Sequence, residues 1–220
     1  MKTIAAAGIA LAMLAQPAFA QEAGSIQVKV LSTGVLPDGK IKSVNLDLVG
    51  LPADTQTKAN DNVVPTVAIE YFVSPNFSIE TICCMTQHDV DGTTGLPGAE
   101  LVSNAKVIPA TFTAKYHANP GGISPYVGAG ATYFLWVGDK PGAAAVALGA
   151  GGFSLSDELG FVLQAGVDVP VSDSGMFVSL DAKRYFVDST ASWFVGDTKV
   201  IETKHQLDPW VVSAGVGFRF

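Results

Sequence analysis

Apolar residues recur at every second position through eight stretches of the chain, and a period of two marks a β-strand. The first stretch, about Ser25 to Thr33, places Ile26, Val28 and Val30 on one face and Gln27 and Lys29 on the other. The second, about Thr66 to Val73, sets Val67, Ile69 and Tyr71 against Ala68 and Glu70. The third, about Phe77 to Thr86, sets Phe77, Ile79, Cys83 and Met85 against Ser78 and Glu80. In the fourth, about Val107 to Tyr116, Ala110, Phe112, Ala114 and Tyr116 oppose Thr111, Thr113 and Lys115. The fifth, about Pro125 to Trp136, alternates Val127, Ala129, Ala131, Tyr133 and Leu135 with Gly128, Gly130 and Thr132. The sixth, about Glu158 to Val169, carries an apolar row from Leu159 to Val169 and has Gln164 and Asp168 on its other face. The seventh, about Met176 to Tyr185, sets Met176, Val178, Leu180 and Ala182 against Ser179, Asp181 and Lys183. The eighth, Trp210 to Phe220, alternates Trp210, Val212, Ala214, Val216, Phe218 and Phe220 with Ser213, Gly215, Gly217 and Arg219.

The links between these stretches alternate in length. Long links at about 35–65, 87–106, 137–157 and 187–204 are separated by short turns at Ser74–Asn76, Ala118–Gly122 and Pro170–Gly175. Four long links and three short turns on eight strands match a membrane barrel with long external loops and short periplasmic turns. The stretches run about nine to twelve residues, as a tilted transmembrane strand requires; a soluble strand averages about five or six. The predicted fold is therefore all-β: an eight-stranded antiparallel transmembrane β-barrel with four long external loops. Aromatic residues near the strand ends suggest a girdle at each interface. Tyr71, Phe77, Tyr116, Tyr126, Phe177 and Phe220 fall near the periplasmic rim, and Phe134, Trp136, Tyr185, Phe186 and Trp210 near the outer one.

Alternation alone does not say which face looks outward, because a soluble ligand-binding barrel also has eight strands. Composition and the long external links favour an apolar face turned to lipid. Hydrophobic residues make up 48% of the chain and charged ones 15%, against about 25% charged in a typical soluble domain. The less apolar face consists of glycines, hydroxyls and a few charges, which is thin cover for a surface in water but fits a narrow lumen. The interior parity then collects Lys29, Glu70, Glu80, Thr113, Lys115, Gln164, Asp168, Ser179, Asp181, Lys183 and Arg219 as candidate lumen-lining residues. Charges of both signs in so narrow a space pair with one another or with trapped water.

Residues 1–20 read as a secretory signal peptide: Lys2, an uncharged apolar run from Ile4 to Leu14, and Ala18-Phe19-Ala20 before the cleavage point. Residues 21–220 are then the barrel domain. Without Lys2 the chain has 12 basic and 20 acidic residues, an acidic balance that argues against nucleic acid as a partner. Cys83 and Cys84 are neighbours in a strand, point to opposite faces, and make neither a disulfide framework nor a metal site. His88, His117 and His205 are the residues on which catalysis would have to rest, with Asp89 and Asp208 nearby, but no HExxH, CxxC or GxSxG spacing accompanies them. No catalytic residues, metal or cofactor are expected.

Seven segments carry a resemblance to a known family. VLSTGVLPD, VPTVAIEYFVSPNFSIE, TQHDV, PYVGAGATYF, LGFVLQAGVDV, SLDAKRYF and LDPWVVSAGVGFRF, in that order, resemble the OmpW family of outer-membrane proteins. The likeness spans the whole mature chain, and the order and spacing of the segments carry it. It implies a barrel in the outer membrane of a Gram-negative bacterium, facing outer-membrane lipid and lipopolysaccharide. It also implies a narrow channel for small hydrophobic molecules, and ions as a further class of solute. The alternatives are a non-conducting structural or receptor barrel whose loops bind partners and, less favoured, an outer-membrane enzyme. Trp210, Phe218 and Phe220 resemble the C-terminal signal read by the barrel-assembly machinery. The chain departs from the family in Gly142 to Phe153, which is unusually apolar for an external loop and is expected to fold over the barrel mouth, meet the lipid, or form a short helix.

Overall fold

The computed structural model describes residues 22–118 and 122–220. The signal peptide read at residues 1–20 lies outside the described residues, as does the centre of the turn expected at Ala118–Gly122. In chain order the elements are β1 (Ile26–Leu36), β2 (Lys40–Asp47), β3 (Gln56–Ala59), β4 (Asn62–Ser74), β5 (Phe77–Cys83), β6 (Thr86–Thr94), β7 (Glu100–His117) and β8 (Ser124–Pro141), followed by helix α1 (Ala143–Ala147). Strands β9 (Gly152–Leu155), β10 (Glu158–Pro170), β11 (Met176–Phe186), β12 (Asp188–Val195), β13 (Thr198–Gln206) and β14 (Trp210–Arg219) complete the set.

Eight antiparallel wall strands close on themselves. The order runs β1, β4, β5 with its continuation β6, β7, β8, β10, β11 and β14, and β14 returns to β1. The closing seam pairs Gln27 with Arg219 through to Leu36 with Trp210. Closure satisfies the strand edges, which a lipid environment demands because it offers no water to unpaired backbone groups. No helix among the described residues is long and apolar enough to cross a membrane; the crossing is made by strands.

The wall is apolar outside and polar inside. Val30 is 58% exposed, Phe112 61% and Val127 60%, whereas the interleaved Gln27, Glu70 and Lys115 are at most 1% exposed. Water-soluble proteins bury the opposite set, so the outer surface is built for hydrocarbon.

Two expectations from the sequence need correction. The four long links are not loops. The first holds β2 and β3, the second β6 and the start of β7, the third α1 and β9, and the fourth β12 and β13. β2, β13, β12 and β9 form a separate four-stranded sheet above the barrel, and β7 and β8 run 18 residues each, rising out of the wall to meet it. Outside Gly142–Phe153 these segments mix polar residues with short apolar runs such as Trp193–Val195, so no sustained period of two marked their strands. The apolar stretch Gly142–Phe153 does contain the short helix that was one of its expected forms. It packs Ala145 and Ala150 against Val102, Ala105, Ala191 and Trp193.

The second correction concerns the aromatic girdles. Tyr71, Phe77, Tyr116 and Phe220 face outward at the periplasmic end and Trp210 at the outer end, but Tyr126, Phe134, Phe177 and Tyr185 are at most 5% exposed and point into the barrel. Glycines on neighbouring strands make room for two of them. Tyr126 pairs with Gly166, and Phe177 with Gly217; a Cβ at Gly217 would stand 2.2 Å from the Phe177 ring.

Candidate functional site

The barrel interior has two chemically distinct storeys. The lower storey, toward the periplasmic end, is a floor of charged side chains. The Lys29 ammonium lies 2.9 Å from Glu70, 3.4 Å from Glu80 and 3.2 Å from Asp168. Lys115 lies 2.8 Å from Glu70 and 2.9 Å from Glu80. Lys183 lies 3.2 Å from Glu80 and 2.7 Å from Asp181. Gln164 donates from its amide nitrogen to Glu80 and Asp181, the Tyr126 hydroxyl donates to Asp181, and Ser179 donates to Asp168. Lys115 also sits 3.7 Å above the Tyr126 ring centre, within cation–π range.

Of the residues read from the sequence as facing the lumen, the structure brings Lys29, Glu70, Glu80, Lys115, Gln164, Asp168, Ser179, Asp181 and Lys183 into this one network. Arg219 is only half-buried and lies at its edge, 6.0 Å from the Phe177 ring; the Gln27 amide oxygen, turned toward it, accepts two bonds from it at 3.0 and 2.8 Å. Thr113 is buried at the level of Glu80, opposite it in the ladder, but its hydroxyl takes no part in the network. Ser78, His117 and Tyr126 belong to the floor and were not nominated. The available signal was parity, which places all three on the interior row.

His117 bonds Glu70 at 2.7 Å and Ser78 at 3.0 Å. Serine, histidine and a carboxylate therefore meet: Glu70 and Ser78 lie on the ring nitrogen Nε2, and the Ser124 hydroxyl is 3.3 Å from Nδ1. All four side chains are at most 5% exposed, whereas a nucleophilic triad must offer its hydroxyl to a substrate. Neither other histidine supplies one: the Asp208 carboxylate is taken by Val187 N–H and Gln206, and Asp89 accepts from Asn104 N–H.

The upper storey is apolar. A cavity of about 70 Å³ is lined by Val35, Ile82, Val107, Phe134, Trp136 and Val211 among others. A second space of about 270 Å³ lies further out, between Val49, Leu51, Leu148, Trp193, Val195 and Ile201. His205 lines both and so stands at the neck between them. Its Nε2 is 2.7 Å from the Thr203 hydroxyl. His88, on the wall of the inner cavity, is held between Thr86 and the Asn60 carbonyl. Burial pushes the His205 imidazole below the ordinary histidine pKa, which favours its neutral form at the neck.

The wall beside the inner cavity is interrupted. Cys84 and Met85 separate β5 from β6. The ladder of β4 onto β5 starts only at Val67, leaving residues 62–66 without a ladder partner on that side. On the other flank β7 pairs with β6 up to Val107 and with β5 from Thr111, leaving residues 108–110 unpaired toward that strand. Pro65 and Pro109, which carry no N–H, sit in the two flanks, as expected where a sheet ladder lapses. Ile82, Cys84, Thr86 and Pro109 all line the cavity, so the gap abuts it directly.

Comparison with known proteins agrees with this architecture. The model of the OmpW family matches residues 22–220. An uncharacterized outer-membrane protein, y4mB, of Sinorhizobium fredii is 30% identical over 199 residues, covering 88% of this chain and 79% of that protein. Outer membrane protein W of Vibrio cholerae is 24% identical, covering 100% and 99%. Among solved structures, the outer-membrane protein OprG of Pseudomonas aeruginosa superposes with a TM-score of 0.79 at 22% identity, covering 91% of this chain and 97% of that one. A closed barrel with a lipid-facing exterior and a family match over its whole described length place the protein in the outer membrane: the chain belongs to the OmpW family.

Proposed function

We propose that the protein is a conduit for small apolar molecules, which enter from the outer face and leave sideways into the membrane. The observation that carries this reading is the succession of an outer apolar space, the neck at His205, the inner apolar cavity and the lapse in the wall at Cys84–Met85. Straight passage to the periplasm is opposed by the floor, where Lys29, Lys115 and Lys183 meet Glu70, Glu80, Asp168 and Asp181 in a buried network. Hydrated ions find no wide path there. At about 70 Å³ the inner cavity is smaller than the roughly 150 Å³ void that takes up benzene in an engineered core, so side chains at the neck and the gap must move as a solute passes.

The test fills the cavity without touching the floor. Ala105 and Val107 are buried at its wall. Ala105→Trp or Val107→Trp is expected to abolish uptake of a small apolar solute by cells or proteoliposomes, while the barrel keeps its heat-dependent shift on gels. A structural or receptor barrel predicts no protein-dependent uptake at all. Uptake that persists through both filled variants would sink the conduit.

A further inference from the structure

One residue on the wall of the inner cavity carries an unanswered hydrogen-bond donor. Trp136 lines the cavity, and its indole Nε1 is buried and has no acceptor, so a solute meets it only after a small shift of the ring. Every other side chain on that wall bearing nitrogen or oxygen, among the described residues, is engaged within the protein. Thr86 and His88 bond each other, and His88 also meets the Asn60 carbonyl. Ser189 donates to the Ser156 carbonyl, the Tyr185 and Thr111 hydroxyls are 3.4 Å apart, and His205 is held by Thr203, Thr57 and the Gly39 carbonyl. The contrast with Trp193 is direct, since its indole N–H, in the external cap, is satisfied by the Leu101 carbonyl.

A buried donor left unpaired costs about 1–3 kcal/mol, and a fold has many ways to avoid that cost. Phenylalanine at residue 136 would fill similar space with no N–H to satisfy. Water answers it poorly here: a buried water needs two to four polar partners, and the other polar side chains on this wall are already engaged. An acceptor on an otherwise apolar solute answers it well, because the rest of the solute meets the apolar wall while one oxygen takes the N–H.

We infer that Trp136 is a specificity-determining residue and that the preferred solutes are apolar molecules bearing one hydrogen-bond acceptor, such as ketones, esters or ethers, over pure hydrocarbons. This rests on the conduit reading and sharpens its substrate class. The expected preference is modest, because a net neutral hydrogen bond is worth about 1 kcal/mol, or roughly fivefold in affinity.

The test is NMR on ¹⁵N-labelled protein in lipid nanodiscs, with Ile82 also methyl-labelled. The chain has 3 tryptophans, so the indole region holds few signals, and the Trp136→Phe spectrum assigns the one of interest. The probes are 2-hexanone and n-hexane. Both are expected to move the Ile82 methyl signal, reporting entry into the cavity; only the ketone is expected to shift the Trp136 indole N–H downfield, saturably. Trp136→Phe is expected to weaken the ketone roughly fivefold and leave the alkane unchanged, which also serves as the control for folding of the variant. A ketone that moves Ile82 without moving the indole, or a variant that keeps the full ketone preference, overturns the role of Trp136 and spares the conduit. If neither probe moves Ile82, both readings fall. Should the variant not fold, the parent spectra with the two probes decide alone.

Discussion

Glu80 holds the floor together because one carboxylate answers three ammonium groups, those of Lys29, Lys115 and Lys183, and also accepts from Gln164. Glu80→Gln keeps the shape and removes the charge. The three lysines then compete for Glu70, Asp168 and Asp181, and breaking a buried pair typically costs about 3–5 kcal/mol. The expected outcome is a loss of that order in the urea-induced unfolding free energy, measured by tryptophan fluorescence in lipid vesicles. The lipid face answers to the opposite rule. Val212 is 52% exposed at mid-strand of β14, and Val212→Arg is expected to cost about 2–4 kcal/mol in the same assay. A neutral Val212→Arg would contradict the outward orientation of that row. At this scale the sequence was readable wherever parity was enough: the charged residues of the floor lie on the interior row, and alternation identifies that row directly. Tyr126 and Phe177 lie on the interior row by parity, so nearness to a strand end was no ground for setting them in a lipid-facing girdle. The register adds that a glycine, Gly166 or Gly217, stands opposite each across the ladder and makes room for the ring.

The external sheet, by contrast, depends on a histidine that must stay neutral. His205 on β13 is buried among Thr203, Thr57 and the Gly39 carbonyl. Burial depresses its pKa below the ordinary value of about 6.5. The unfolded segment therefore binds protons more readily than the folded one once the pH drops below about 6.5, and stability rises with pH across that window. It is complete above about 6.5 and lost as the pH falls toward the depressed folded value. Amide hydrogen exchange in β2 and β13 is expected to be slow at pH 7.5 and, after correction for intrinsic rates, markedly faster at pH 5, with the wall strand β14 unchanged. A His205→Gln variant should lose much of this response. Equal protection at both pH values would show that the His205 imidazole does not set the stability of the external sheet. The wall strands were legible as elements because lipid outside and a filled lumen inside enforce a strict period of two. The cap strands obey no such rule. In β13 the alternation of Thr203 and His205 with Lys204 and Gln206 is real, but these four are all polar and the strand's apolar residues, Val200 and Ile201, are adjacent, so no hydrophobic period announces it.

For the molecule as a whole, the proposed route for solutes rests on where the interior is closed. The floor contains as many carboxylates as lysine and arginine side chains: Lys29, Lys115, Lys183 and Arg219 against Glu70, Glu80, Asp168 and Asp181. Nothing in that balance favours either sign of ion, and the bonded network leaves the floor no reason to open when an apolar molecule occupies the cavity above. The balance and the pairing were readable from the interior parity, which collects these same eight charges; which lysine meets which carboxylate needed the register and the closure of the barrel. The parent protein in planar bilayers is accordingly expected to show at most a small ion conductance. Removing one charge of each sign, as in the double variant Glu80→Ala/Lys115→Ala, keeps the balance and takes out two side chains that bridge the centre of the floor. It is expected to raise ion conductance clearly above the parent while leaving apolar-solute uptake unchanged, since the cavity, the neck and the wall gap lie above it. A parent that already conducts ions freely would mean the axis is open. A double variant that conducts ions but loses apolar uptake would mean solutes leave through the floor rather than through the gap at Cys84–Met85.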